Sequence, residues 1–295
     1  MILQALTIIL EKGKLAPSWG GDVCYAHTPM STHVVESIGW MIVSLFLWYG
    51  LKLNKHLNLL YKKAESELKK THWTLLEHMF DQLLAFIHFA MYIQIIYYKT
   101  NISSMINLIQ PCHVVLLLEG VALYTDEPLG VLITVLILPT LTGTLLATLF
   151  PDTTGLDQPY EMVSYWVQHI LIQIVPLYLL LRKGSLALKL FDLKTVFVGL
   201  WILGFLHFSL YEIVDISLKV NVEFMLCPTG AMIYIFSQVP KAIVDIPSYR
   251  TLMAIVVYLV GITLSYTYFC VATFFTKYIV PLIPIKVQVN NKKHK

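Results

Sequence analysis

Charge is what this sequence has least of. Asp, Glu, Lys and Arg make up 13% of its 295 residues, where soluble domains usually carry about 25%. That shortage excludes an ordinary water-soluble enzyme, whose loops are rich in charge. Cysteine is scarce too, with four in the whole chain, too few for a small disulfide-built scaffold. No internal repeat is visible. The opening "MILQALTIILEKGK" lacks a basic lead-in and a small-residue cleavage site, so it reads as mature chain rather than a signal peptide. The net charge of +3 gives no reason to invoke nucleic acid.

What is present is apolar sequence in long runs. The chain is 57% hydrophobic with a mean hydropathy of +0.69. Runs of about 20 apolar residues recur, the length a helix needs to cross ~30 Å of hydrocarbon. The expected fold is therefore an all-α, polytopic membrane bundle. Seven spans are predicted, near 33–51, 75–98, 103–124, 128–150, 162–181, 195–216 and 252–278. A segment 1–32 precedes them, a loop 217–250 lies within the 33–280 domain, and a basic tail 281–295 follows. Between the first two spans, "KHLNLLYKKAESELKK" reads as a polar loop.

Basic residues orient the bundle. Lys52, Lys55, Lys62, Lys63, Lys69 and Lys70 fall in one loop, Arg182, Lys183, Lys189 and Lys194 in another, and Lys286, Lys292, Lys293 and Lys295 in the tail. Alternation through seven spans puts all three sets on one side. Only Lys12, Lys14, Lys99, Lys219, Lys241 and Arg250 fall on the other. The positive-inside rule then makes the N-terminus lumenal and the C-terminus cytosolic. The sequon Asn101-Ile102-Ser103 is lumenal on this reading, as are Cys24 and Cys227. Lumenal cysteines can form a disulfide. The pair either pins the N-terminal segment to the long loop or remains two separate thiols.

Several spans bring polar chemistry to one layer. Cys112 and His113 lie about 9 residues, ~14 Å, below the lumenal end of span three. His169 in span five, His207 in span six and His88 in span two fall near the same depth. Each histidine alone reads as a core side chain bonded to a backbone carbonyl, but their shared level points to a site, because polar groups in lipid face bundle interiors. Tyr165, His169 and Gln173 share one helical face, and so do His207, Tyr211 and Asp215. His113 is rotated about 100° from Cys112, so the partner for the thiol must come from another helix, and His169 suits best by depth. Pro111 lacks an N–H, which frees the carbonyl of Asn107 and lets a helix restart with Cys112 at its positive end.

These residues carry a resemblance. "QPCHVV", "LLATLFPDTTGLDQPYEMVSYWVQHILIQIVPLYLL" and "LHFSLYEIVDISLKVNVEFMLCP" are similar to the transmembrane protein 164 family, from near residue 20 to near residue 228. The resemblance implies an intramembrane acyltransferase that remodels phospholipids. It would move a polyunsaturated acyl chain from a diacyl phospholipid to a lyso ether-phospholipid through a cysteine thioester. Cys112 matches the nucleophile and His169 the assisting histidine, while Gln110 stands where the family usually has Asn. His207, Tyr211, His88, Gln173 and Pro111 are candidate supporting residues. No cofactor or metal is expected, since no His-x₃-His pair shares a helix. The partners are a phospholipid donor, a lysophospholipid acceptor and the bilayer, and the expected location is an endomembrane such as endoplasmic reticulum or Golgi.

Three other readings stand beside it. A hydrolase would use the same pair with water as acceptor. A transporter or proton pathway would need ionisable groups at successive depths, yet span four has none and no matching pair of Gly-interrupted half-helices is present. A seven-helix receptor would need an acidic-Arg-aromatic triplet after span three, where "ALYTDEP" stands instead.

Overall fold

A computed structural model of the chain describes residues 20–69, 74–102, 104–149, 151, 153, 156–182, 189–222, 225–227 and 249–279. The N-terminal run, most of the loop 217–250 and the tail 281–295 lie outside the described residues. Helices dominate, in the order α1 (Met30–Gly50), α2 (Leu53–Leu68), α3 (Leu75–Asn101), α4 (Pro111–Tyr124), α5 (Pro128–Leu136), α6 (Leu141–Leu149), α7 (Glu161–Arg182), α8 (Leu193–Phe205), α9 (Glu212–Leu218) and α10 (Tyr249–Phe274). The fold is all-α, with one isolated antiparallel bridge, Gly20 to Val220.

Six helical stretches among the described residues are long and apolar enough to cross a membrane: 30–50, 75–101, 128–149, 161–182, 193–218 and 250–279. The expected third span, 103–124, is different. It is a 3₁₀ turn, Met105–Ile109, followed by the 14-residue helix α4, and α4 alone is too short to cross. Pro111 is the cause. It sits at N1 of α4, and Gln110 before it takes φ −54°, ψ 137°, the extended geometry that a following proline imposes. Seven expected spans thus become six full ones and a broken element.

Two other spans are also interrupted. Pro139 places a 3₁₀ turn, Leu138–Thr140, between α5 and α6. A π-helical turn, Leu206–Tyr211, joins α8 to α9. At the Pro139 turn, neighbouring backbones come very close. A Cβ on Gly261 would lie 2.9 Å from the Pro139 carbonyl oxygen, so α10 can pass there only with glycine, the small-residue contact that membrane helices favour.

The segment 52–69 is not a loop. Lys52, with φ 54°, turns the corner after α1, and α2 begins at once. Leu53, Leu60 and Ala64 are buried, and Leu57 and Leu68 pack beside them. That spacing of three and four makes one apolar stripe, which the run of lysines on the other face conceals from a simple hydropathy reading. Lys63 Nζ donates to the Lys189 carbonyl at 2.6 Å, and Lys189 Nζ meets Glu67 at 2.6 Å.

Polarity is distributed inside out. Val35, Ile42, Phe46, Leu83, Phe86 and Ile93 are exposed on α1 and α3, while His88, Glu119, Thr134, Thr142, Asp215 and Ser265 are fully buried. Such a surface suits a lipid solvent, and a polar interior is where membrane helices satisfy each other's hydrogen bonds. At the start of α3 a capping box closes the helix, with Glu77 N–H donating to Thr74 Oγ1 and Thr74 N–H to Glu77 Oε2. Nearby, Arg182 Nη2 lies 3.1 Å from Asp81, which also accepts from Tyr178 Oη at 2.6 Å. These bonds tie α3 to the far end of α7.

The opposite end is closed more firmly. Cys24, on a one-turn helix Asp22–Tyr25, forms a disulfide with Cys227. Around it, Asn221 Nδ2 donates to the Cys227 carbonyl at 3.0 Å and Asn221 Oδ1 accepts from the Leu226 N–H at 2.9 Å. Beside this knot Arg250 reaches into a buried charge cluster. Its Nη1 donates to both carboxylate oxygens of Glu212 at 2.7 Å, and its Nη2 donates to Glu36. His33 Nδ1 lies 2.5 Å from Glu212 Oε1. One guanidinium therefore fastens α1, α9 and α10 together.

Candidate active site

The break before Pro111 creates the site. Pro111 and Cys112 occupy the first turn of α4, where the dipole of the helix is positive. The freed carbonyl of Asn107 is not left bare: it accepts from the Gln110 N–H at 3.2 Å and from His113 Nδ1 at 2.7 Å. His113, rotated away from Cys112 on the helical wheel, thus caps the interruption that positions the cysteine. On its other flank the 3₁₀ turn is held by Tyr211, whose hydroxyl donates to the Ile109 carbonyl at 2.9 Å. Tyr211 belongs to the π turn of Leu206–Tyr211, a kind of irregularity common near functional sites.

Cys112 is half-buried and, like the exposed Cys270, forms no disulfide. Around Cys112 gather groups from three helices. Lys99, near the end of α3 and 7% exposed, lies within electrostatic reach of both Cys112 and His113. Its ammonium is 3.9 Å from Glu161 Oε1 at the start of α7. His169, two turns further along α7 and also buried, is within electrostatic reach of His113. The sequence placed Lys99 only among the few basic residues of the side opposite the lysine-rich loops. Its hint was there: a lysine still inside the helical period of α3, four and eight residues after the buried Ile95 and Met91.

The hydrogen bonds assign the ring protons. His169 Nδ1 lies 2.7 Å from the Tyr165 carbonyl. A carbonyl only accepts, so Nδ1 carries the proton and Nε2 presents a lone pair. The Tyr165 ring lies against the imidazole, with centroids 4.1 Å apart. Gln173 Nε2 donates to Thr148 Oγ1 at 2.7 Å and to the His169 carbonyl at 3.2 Å, tying α7 to α6 behind the histidine.

The other histidines are placed differently from the single layer read in the sequence. His88 spends both ring nitrogens elsewhere, Nδ1 on the Leu84 carbonyl at 2.8 Å and Nε2 on Glu119 Oε2 at 3.2 Å. That pairing also fixes the antiparallel register of α3 and α4. Cys112 is seven residues from Glu119, so His88 lies about 10 Å deeper than the thiol. The cause is that α3 runs on to Asn101 and Cys112 begins its helix rather than sitting in the middle of one. His207 Nδ1 bonds the Leu203 carbonyl at 3.1 Å and its ring meets Tyr211 edge-on at 5.3 Å. Of the supporting candidates, Pro111 and Gln173 hold Cys112 and His169 directly, Tyr211 acts through the 3₁₀ turn, and His88 bonds Leu84 and Glu119 rather than His169. Among the described residues no three His, Cys, Asp or Glu side chains gather as a metal site would require.

A sequence profile of the TMEM164 family matches residues 26–261. The transmembrane protein 164 homolog of Dictyostelium discoideum is 25% identical over 122 residues, 41% of this chain. That alignment spans 43% of the relative's length. No solved structure matches the chain.

Proposed function

The chain belongs to the TMEM164 family, and from that premise we propose that it is an intramembrane acyltransferase with a Cys112 nucleophile and a His169 base. The acyl group, polyunsaturated in the preferred case, passes from a phospholipid to a lyso ether-phospholipid within an endomembrane whose lumenal side faces the disulfide. One observation carries the reading: a broken helix sets a cysteine at its positive end, with Lys99 within electrostatic reach of Cys112 and His113 and with His169 within reach of His113.

The chemistry follows from the assigned protons. His169 Nε2 takes the proton from Cys112 Sγ. The thiolate, formed beside the Lys99 ammonium and the α4 dipole, attacks the ester carbonyl carbon. The tetrahedral oxyanion collapses, the C–O bond breaks, and the departing lysophospholipid oxygen takes the proton from His169. In the second half His169 removes the proton from the acceptor hydroxyl, which attacks the thioester. The C–S bond breaks and the thiol is restored. Nδ1 stays protonated on the Tyr165 carbonyl throughout, so the ring keeps its orientation. Lipid around the bundle keeps water scarce, which favours an alcohol as acceptor over hydrolysis.

The test uses membranes bearing the wild type, Cys112→Ala or His169→Ala, supplied with a phospholipid labelled in its acyl chain and a lyso ether-phospholipid. Label should enter the new ether diacyl species with the wild type alone. Transfer surviving in Cys112→Ala at matched expression would overturn the reading, and label released as free fatty acid would make the protein a hydrolase.

A further inference from the structure

We propose that Gln168 donates the hydrogen bond that holds the oxyanion while Cys112 is acylated; the assignment rests on the thioester reading above. Gln168 is 3% exposed, and its side-chain Nε2 is buried with no hydrogen-bond partner among the described residues. A buried donor left unpaired is costly, so native folds keep few of them, and one at the depth of the reacting thiol calls for an acceptor that arrives with the substrate. Sequence neighbours do not explain it away, since Ser164 and Gln173 on the same helix are both paired.

Its position fits that role. Glu161, Ser164 and Gln168 follow one another at three- and four-residue steps, so they share a face of α7. That face meets α3: Glu161 lies 3.9 Å from Lys99, and Ser164 Oγ donates to Gln94 at 3.2 Å. Gln168 is seven residues past Glu161, hence about 10 Å below the Lys99 level. Cys112 comes out about 6 Å below the same level, from the His88–Glu119 register of α3 and α4. The amide and the thiol are thus within one helical turn in depth. Two further polar atoms near Lys99, Ser104 Oγ and Glu161 Oε1, have no hydrogen bond among the described residues, although Glu161 Oε1 faces the Lys99 ammonium at 3.9 Å.

In the step itself Cys112 Sγ bonds to the carbonyl carbon and the π pair moves onto oxygen. That oxygen accepts the Nε2–H of Gln168. When the carbonyl re-forms, the ester C–O bond breaks and the leaving oxygen takes the His169 proton. Gln168 binds charge that exists only in the transition state and intermediate, so it acts on rate rather than on lipid binding.

Two reactions of the same thiol separate this role from a structural one. In full-length protein carrying Cys270→Ala, acylation of Cys112 by a labelled phospholipid passes through an oxyanion, whereas alkylation by iodoacetamide does not. Gln168→Leu should slow acylation by roughly 10²–10³-fold and leave alkylation unchanged, and Gln168→Asn should recover part of the loss. Acylation at the wild-type rate in Gln168→Leu overturns the assignment, as does a parallel fall of both reactions. Absence of acylation in the unsubstituted protein, with alkylation intact, overturns the thioester reading and this assignment with it.

Discussion

Four histidines within the spans serve the backbone with one nitrogen each. His88, His169 and His207 bond the carbonyl four residues earlier, and His113 bonds Asn107. That arrangement is good packing chemistry, and for His169 it also leaves the basic nitrogen turned away from its own helix. Replacing His113 by Leu should leave the Asn107 carbonyl short of a partner and cost roughly 1–3 kcal/mol, read as a lower unfolding temperature in detergent with slower Cys112 alkylation. Lys99→Met should slow alkylation, because the cation favours the thiolate, and should also lower the unfolding temperature, because the buried Glu161 loses its ion-pair partner. Cys112, Pro111 and His169 were legible in the sequence because a proline, a thiol and an imidazole stand out among Leu and Val. Lys99 and Gln168 were not, since their meaning depends on which face of α3 meets which face of α7.

At the level of elements, the breaks matter more than the helices. Pro111→Ala permits the 3₁₀ turn and α4 to fuse into one helix, which would move Cys112 from a helix start into a helix interior. Transfer activity should fall by an order of magnitude or more while the helix content measured by circular dichroism stays the same or rises. The disulfide end can be divided by magnitude. The Asp22–Lys219 pair at 2.6 Å is largely exposed, with side chains 84% and 52% accessible, so screening by water and salt leaves it little to contribute. The ammonium holds the Asp22 carboxyl below its ordinary range, so this small contribution is present above about pH 3.8 and is lost as the pH falls through the lowered value. The Cys24–Cys227 bond, closing a separation of 203 residues, is worth roughly 2–4 kcal/mol. Cys24→Ser should therefore lower the unfolding temperature clearly, and Asp22→Asn hardly at all. The sequence offered both cysteines but no way to choose between paired and separate, because their closeness depends on α1, α9 and α10 meeting. Similarly, α2 was hidden by its lysines, which outweigh five well-spaced apolar residues in any average.

For the whole molecule, the inside-out distribution makes the bundle dependent on its internal polar bonds. Arg250→Met would take the guanidinium from two buried carboxylates, leaving Glu212 only His33 and Glu36 only the Thr251 hydroxyl, a loss of about 3–5 kcal/mol, visible as poor recovery of folded protein that an added Glu212→Gln only partly relieves. Orientation, inferred from lysine counts, is testable by a glycan acceptor placed among residues 1–19, which should be modified, against one placed among 183–188, which should not. Composition alone conveyed the membrane class and the all-α fold, since 57% apolar sequence in long runs leaves few other structures. The number of complete spans was not conveyed, because hydropathy does not register a helix that starts late. The proposed chemistry depends above all on a thioester at Cys112. Mass spectrometry of the protein after incubation with a labelled diacyl phospholipid, without acceptor, tests it most directly. An acyl mass on the peptide containing Cys112, removed by hydroxylamine and absent in Cys112→Ala, is the expected result. A protein that transfers acyl chains with Cys112 unmodified throughout, or with the label on another residue, would contradict it.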